Sequence, residues 1–133
     1  MTPFGEKVRG FRDARGITQR QMADDLGVSS AYLSALEHGH RGRPGPGFVQ
    51  QIAGYFDLIW DEVEELKRLA RLSHPRVVVD TAGLSAKATE LANLLADAIQ
   101  DFDEDTLDWI LDEIKSRQMH KARTKKDDRN PTY

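Results

Sequence analysis

The sequence contains no cysteine and no apolar run approaching the roughly 20 residues that a membrane-spanning helix needs. The lack of cysteine excludes disulfides, thiolate metal sites and a cysteine nucleophile. Residues 1–12 include Glu6 and Lys7 and have no long apolar stretch, which argues against a signal peptide. We therefore expect a cytoplasmic protein without a membrane anchor.

Runs of β-branched residues are also scarce, since Val77–Val79 is the only strand-like stretch in the 133 residues. Apolar residues recur instead at helical spacing, as Phe4, Val8 and Phe11 do after the helix-start signal Thr2-Pro3. These patterns predict an all-α protein.

Helix-start and helix-stop signals divide the N-terminal half. Gly16 ends the first helix, Thr18 opens a second that Gly27 stops, and Ser29 or Ser30 opens a third. The glycine- and proline-rich residues 39–47 predict a loop, followed by two more helices. We expect Asp57 to cap the fifth helix, with Val63, Leu66, Ala70 and optionally Ile59 facing inward.

His74-Pro75 marks a domain boundary, after which Val77–Gly83 is expected to be an extended connector or a short strand. Two apolar helical stripes follow, and the polar, basic end of the chain shows no periodicity. The predicted organisation is a helical domain over residues 1–72, a linker over 73–83, a two-helix segment over 84–116 and a disordered basic tail over 117–133.

Charge is segregated along the chain, although the net charge is only −3. Residues 1–54 carry a net +2, residues 55–115 carry −9, and residues 116–133 carry +4. A polyanion would avoid the middle block and tolerate the two ends. The alternative is that these are ordinary solvated charges.

The second and third helices are short and joined by a tight turn that contains Gly27, which is the helix-turn-helix layout. Residues 18–39 fit the pattern T-Q-x-x-x-A-x-x-x-G-V-S-x-x-Y-L-S-x-L-E-x-G. On this pattern, residues 4–58 resemble the Cro/repressor (XRE) family of helix-turn-helix proteins. The resemblance implies a five-helix repressor-like domain that binds double-stranded DNA, here followed by the two-helix C-terminal segment.

The resemblance also implies a set of site residues. Ser30, Ala31 and Ser34 correspond to base-facing positions of the third helix, while Gln19, Tyr32 and the loop arginines correspond to positions at or near phosphates. The complete predicted DNA-binding set is Thr18, Gln19, Ser29, Ser30, Ala31, Tyr32, Ser34, Ala35, His38, Arg41 and Arg43. Arg12 and Glu37 correspond to a buried structural ion pair.

A module of this size contacts too little DNA for operator-level affinity by itself, so we expect a homodimer. The two C-terminal stripes would form its interface through Leu84, Leu91, Leu95, Phe102, Leu107, Ile110, Leu111 and Ile114. The alternative is that these helices fold back onto their own domain.

The sequence thus predicts a sequence-specific transcriptional regulator, a dimeric repressor. The alternative function is a DNA-binding antitoxin whose acidic C-terminal helices neutralise a small basic toxin. No nucleophile–base set or phosphate loop supports an enzyme, and no cofactor is expected. His38 and His40 lie two residues apart without further ligands nearby, so no metal site is expected either.

Overall fold

The structure, a computed structural model, describes the backbone of residues 1–129 and the side chains as far as Lys121. Its α-helices are α1 Pro3–Arg15, α2 Gln19–Leu26, α3 Ser30–Glu37, α4 Pro46–Tyr55, α5 Trp60–Arg71, α6 Ala86–Ala98 and α7 Glu104–Arg129, with a 3₁₀ turn over Ile99–Asp101. Residues 1–129 contain no strand. The all-α prediction is therefore confirmed. The chain divides into an N-terminal unit, Met1–Val78, and a C-terminal unit that begins at Val79.

Side-chain caps begin the first three helices where the sequence predicts them. The hydroxyls of Thr2, Thr18 and Ser29 each accept a hydrogen bond from the backbone N–H three residues later, at 3.0 Å. Gly16 and Gly27 follow α1 and α2 in the left-handed conformation, which a glycine adopts without steric cost. Local chemistry alone therefore fixes these boundaries.

All five helices of the N-terminal unit contribute to one apolar core. The buried side chains are Phe4, Val8, Met22, Ala23, Leu33, Leu36, Val49, Ile52, Ala53, Phe56, Leu66 and Ala70. They recur at helical spacing, so each helix presents one apolar face to the others. This packing holds α3 in a fixed position within the unit.

The junction between α4 and α5 differs from the prediction. Asp57 does not cap α5; it lies in the left-handed region at φ 53°, and α5 begins at Trp60. The Glu62 side chain accepts a hydrogen bond from the backbone N–H of Ile59 at 3.2 Å instead. Ile59, the optional inward position, is the N-cap residue of α5 and is exposed.

The C-terminal unit has no buried residue among its described side chains, residues 79–121. The connector before α6 has no regular secondary structure apart from a turn at Ala82 and Gly83, and no part of residues 79–129 forms a strand. Ser85 caps α6 through its hydroxyl, so Leu84 lies before the helix and not on it. Half-buried positions run along both helices: Ala88, Ala92, Leu95, Ala98, Phe102, Thr106, Leu107 and Ile110.

The predicted disordered tail is wrong over most of its length, because α7 continues to Arg129. The Arg117 guanidinium donates to the Glu113 carboxylate at 2.8 Å, one helical turn away. Lysine, arginine and glutamine are good helix formers, and no glycine or proline interrupts the segment before Pro131. Residues 130–133 lie outside the described part of the chain.

Candidate nucleic-acid interface

The helix-turn-helix is formed by α2, the turn at Gly27 and α3. Gly27 has φ 75° and its N–H bonds back to the end of α2, which closes that helix before the chain reverses. The inner face of α3 is buried through Leu33, Leu36 and Glu37. These contacts leave the opposite face of α3 toward solvent.

A buried ion pair connects α1 to α3, as the resemblance implies. The Arg12 guanidinium donates to Oε1 of Glu37, and both side chains are buried. Oε2 of Glu37 accepts a second hydrogen bond from the Gln19 side-chain amide at 2.8 Å. Both carboxylate oxygens are therefore satisfied, as a buried charge requires.

Gln19 consequently has a structural contact in addition to its predicted role. Its amide nitrogen donates one N–H to Glu37, which leaves one N–H and the carbonyl oxygen for a ligand. The bond fixes the start of α2 relative to the end of α3. A half-buried Gln19 at this point is pre-oriented and not free to rotate.

Two further contacts, which the sequence does not predict, hold α1 against α3. The Thr2 hydroxyl donates to the Glu37 carbonyl at 3.0 Å while it caps α1. A Cβ at Gly5 would lie 2.2 Å from the same carbonyl oxygen, so only glycine fits this helix crossing. The only local signal for this close approach is a glycine inside an otherwise regular helix.

Ser73 forms a similar long-range link between α1 and α5. Its hydroxyl accepts from the Phe4 N–H at 2.9 Å and donates to the Leu69 carbonyl at 2.6 Å. An N-terminal helix N–H has no intrahelical partner, and Ser73 supplies one. No sequence pattern predicts this bond, because the two residues are 69 positions apart.

The predicted base-facing positions lie on the outer face of α3. Ala31 is exposed, and Ser30, Ser34 and Ala35 are half-buried. Ser29 is exposed, and its hydroxyl is occupied in capping α3. The outer face of α3 therefore carries small side chains, which permit the close approach of a second surface.

Tyr32 lies between the outer face and the loop that follows α3. Its ring packs edge-on against Phe48 at 6.0 Å, and the Arg41 guanidinium lies 5.8 Å from the ring centre. The aromatic ring and the cation attract each other and limit the freedom of Arg41. This contact places one loop cation beside α3.

The two histidines of the interface stack on each other. The rings of His38 and His40 are 6.3 Å apart and nearly parallel, and Nδ1 of His38 lies 2.8 Å from the Ser34 carbonyl oxygen. Both residues are exposed. Within the described residues, no group of three or more histidine, aspartate or glutamate side chains could hold a metal ion.

A hydrogen bond between Tyr55 and Asp25 connects α4 to α2, which bears the first half of the motif. The phenol donates to the Asp25 carboxylate at 2.7 Å. Burial, with a smaller contribution from this carboxylate, raises the pKa of Tyr55 to about 12. The Tyr55 phenol therefore keeps the proton that it donates to Asp25 across the physiological pH range.

All eleven predicted DNA-binding residues thus lie in the N-terminal unit, on α3, at the start of α2 or in the loop after α3. The predicted dimer-interface residues lie in the C-terminal unit. None of the described helices is long and apolar enough to cross a membrane.

Comparison with known families identifies the same region. Residues 3–66 match a helix-turn-helix domain family. The uncharacterized HTH-type transcriptional regulator RghRB of Bacillus subtilis (strain 168) is 36% identical over 63 residues, which is 47% of this chain and 45% of that protein. The HTH-type transcriptional repressor RghR of the same organism is 42% identical over 53 residues, or 40% of this chain and 39% of that protein.

The matched region is thus less than half the length of RghRB and of RghR. The uncharacterized HTH-type transcriptional regulator YazB of Bacillus subtilis (strain 168) is 33% identical over 60 residues, which is 45% of this chain and 86% of that protein. No solved structure gave a significant match.

The family match spans α1 to α4 and the first part of α5, and so includes the buried ion pair and the glycine turn. Together with the relatives it confirms the resemblance seen in the sequence. The chain belongs to the XRE, or Cro/repressor, family of helix-turn-helix DNA-binding proteins.

Proposed function

We propose that this chain is a cytoplasmic, dimeric repressor that binds a specific double-stranded DNA site through the outer face of α3. The single observation that carries the proposal is that Glu37 fixes α3 from behind while the opposite face stays open. A recognition helix must be held rigidly and yet present small or hydrogen-bonding side chains to the major groove. Ser30, Ala31 and Ser34 meet that requirement.

Phosphate contacts would come from the surroundings of α3. Arg41 is held beside Tyr32, and Gln19 keeps one free amide N–H for an acceptor. Such contacts position a protein on DNA without reading sequence. Because phosphate binding releases counterions, affinity should fall steeply as salt rises, and Arg41→Gln should lower the slope of log K against log salt by roughly 1.

The experiment that tests this proposal is DNA selection followed by affinity measurement. Fragments that bind the full chain are selected and sequenced, and fluorescence anisotropy then gives the affinity for the best fragment. Ala31→Glu places a negative charge on the exposed face of α3 and should weaken binding about 10- to 100-fold. Ala14→Glu, the same change at an exposed position of α1, is the matched control and should leave affinity unchanged.

Equal losses from Ala31→Glu and Ala14→Glu would contradict a role for α3 and indicate binding by general charge. Failure to select any fragment at low salt would contradict sequence-specific binding altogether.

The proposal of a dimer is supported by the C-terminal unit. Leu91, Leu94 and Trp109 are each more than half exposed, and no described side chain in that unit is buried. Amphipathic helices gain stability by covering such surface, and a second copy of the same helices is one way to do so. A two-fold dimer would also place two α3 helices about one DNA turn apart.

Analytical ultracentrifugation of the full chain tests the dimer. We expect a dimer at micromolar concentration, and we expect Leu91→Glu to produce monomers. Val78→Glu, which adds the same charge at an exposed apolar residue of the connector, is the control and should remain dimeric. A monomeric full chain would contradict the proposal.

A second candidate function is an antitoxin, favoured by the charge of the same region. Residues 79–115 of the C-terminal unit hold ten Asp and Glu against two Lys, a net −8, which suits a basic protein partner. A small basic protein that copurifies in stoichiometric amount and is released by high salt would favour this function over a stand-alone repressor.

A further inference from the structure

A cavity of about 330 Å³ lies within the N-terminal unit, between the loop after α3, the start of α4 and the second half of α5. The size lies at the lower end of the range for small-molecule sites. Its lining divides into two kinds of side chain: the apolar Pro44, Pro46, Val49 and Ala70, and the basic Arg43, Lys67 and Arg71.

The apolar residues form stable walls, since Val49 and Ala70 belong to the buried core and Pro44 is buried. Two prolines restrict the backbone on the loop side. An apolar body that entered the cavity would meet a pre-formed surface and would displace water from it.

The basic residues make the cavity electropositive. Lys67 lies 3.6 Å from Glu64, but that pair is solvent-exposed and weakly held. No acidic residue lines the cavity. Three cations and no anion around an apolar hollow would attract one negative charge.

The start of α4 adds to the same potential. Pro46, the first residue of α4, lines the cavity, and α4 has no side-chain cap hydrogen bond at its N-terminus. The positive end of a helix dipole is stabilised by a nearby anion. The helix end by itself would not make a site, but here it points to the same ligand charge as the three basic side chains.

The two loop arginines also have different surroundings. Arg41 lies against Tyr32 beside α3, whereas Arg43 lines the cavity. The sequence predicts phosphate contact for both, but only Arg41 is held next to the outer face of α3.

We propose that this cavity binds a small organic carboxylate with a compact apolar body, its charge met by Arg43, Lys67 and Arg71. The apolar walls select against inorganic anions, and the basic residues select against neutral apolar molecules. Because Arg43 lies in the loop after α3, occupancy of the cavity would draw that loop toward α5 and weaken DNA binding. This last step rests on the proposed function.

The binding test uses the DNA-free full chain and hexanoate as probe, followed by ¹H–¹⁵N amide shifts. We expect saturable shifts around Val49, Lys67, Ala70 and Arg71, with a dissociation constant on the order of 1 mM for so small a ligand. Arg71→Gln should weaken binding at least about fivefold. Arg68→Gln, on the same helix but outside the cavity lining, is the matched control and should bind as the original chain does.

Hexan-1-ol and inorganic phosphate test the two halves of the proposed chemistry. Each should bind at least about fivefold more weakly than hexanoate. Equal binding of the alcohol would overturn the role of the cations, and equal binding of phosphate would overturn the role of the apolar walls. Absence of saturable hexanoate shifts would overturn the site itself.

Coupling is measured separately, on the selected DNA fragment. Saturating hexanoate should lower DNA affinity about fivefold, and Arg71→Gln should abolish that effect. Hexanoate binding without any change in DNA affinity would overturn the coupling and leave the site. Loss of DNA binding altogether, with hexanoate shifts intact, would contradict only the proposed function.

Discussion

The two units of the chain differ in how they hold their apolar side chains. In the N-terminal unit, twelve apolar residues are buried together, and no buried side-chain nitrogen or oxygen there lacks a hydrogen-bond partner. In the C-terminal unit, no described side chain is buried, although leucine and isoleucine are frequent there. The first unit is therefore complete as a folded domain, whereas the second has apolar surface still to cover. We therefore expect the N-terminal unit to supply most of the free energy of folding and the C-terminal unit to supply the surface for association with another copy.

The largest expected effect is on the buried ion pair of the N-terminal unit. Glu37→Gln leaves the Arg12 guanidinium buried without a counter-charge and should lower the free energy of unfolding by about 3–5 kcal/mol. Asp13→Asn removes the exposed partner of Arg9 and should cost less than about 1 kcal/mol. Urea denaturation measures both. If Glu37→Gln lowered the free energy of unfolding as little as Asp13→Asn does, the structural role of Glu37 would be contradicted.

The second prediction compares one leucine from each unit. Leu66→Ala empties a fully buried site and should cost about 2–5 kcal/mol at any protein concentration. Leu91→Ala removes an exposed side chain and should cost less than about 0.5 kcal/mol in dilute protein. If the C-terminal unit associates, the Leu91→Ala effect should grow with protein concentration. Similar costs for both in dilute protein would refute the contrast between the units.

A smaller effect is expected from the bond between α5 and α1. Ser73→Ala leaves the buried Phe4 N–H without its acceptor and should cost about 1–3 kcal/mol. Hydrogen exchange of the Phe4 amide should accelerate by the same free energy. Ser116→Ala, at an exposed position of α7, should change neither measurement. An unchanged Phe4 exchange rate in Ser73→Ala would contradict the bond.

The smallest effect concerns Tyr55. Folding raises the pKa of this phenol from 10.0 to about 12, so the folded state favours the protonated form. Its contribution to stability is present below pH 10 and is lost as the pH rises toward 12. Tyr55→Phe should cost about 0.5–1.5 kcal/mol at pH 7 and should flatten the fall in stability between pH 10 and 12. Denaturation curves at pH 7, 10 and 11.5 measure the free energy of unfolding of both chains. The same pH dependence in Tyr55→Phe as in the original chain would contradict the role of the phenol.

The sequence predicts the N-terminal unit well because its signals are local. Thr2, Thr18 and Ser29 cap helices through bonds to residues three positions away, and Gly16 and Gly27 end helices through their own backbone conformation. Helix caps and glycine stops of this kind depend only on residues a few positions away in the sequence. The family pattern adds the Arg12–Glu37 pair, which the structure confirms.

The remaining features depend on distant or competing interactions. The fit of Gly5 against Glu37 and the Ser73–Phe4 bond join residues far apart in sequence, so no local pattern contains them. The end of α7 differs from the prediction for another reason. Its polar, charged sequence is typical both of disorder and of an exposed helix, and helix propensity with pairs such as Arg117–Glu113 decides in favour of the helix.

The central claim is that α3 is the surface that meets DNA, and amide shift mapping of the full chain on its selected fragment tests it most directly. The account predicts that the largest changes fall on residues 29–35 and on Arg41, with α5 little affected. Changes confined to the C-terminal unit, with the amides of α3 unmoved at saturating DNA, would contradict it.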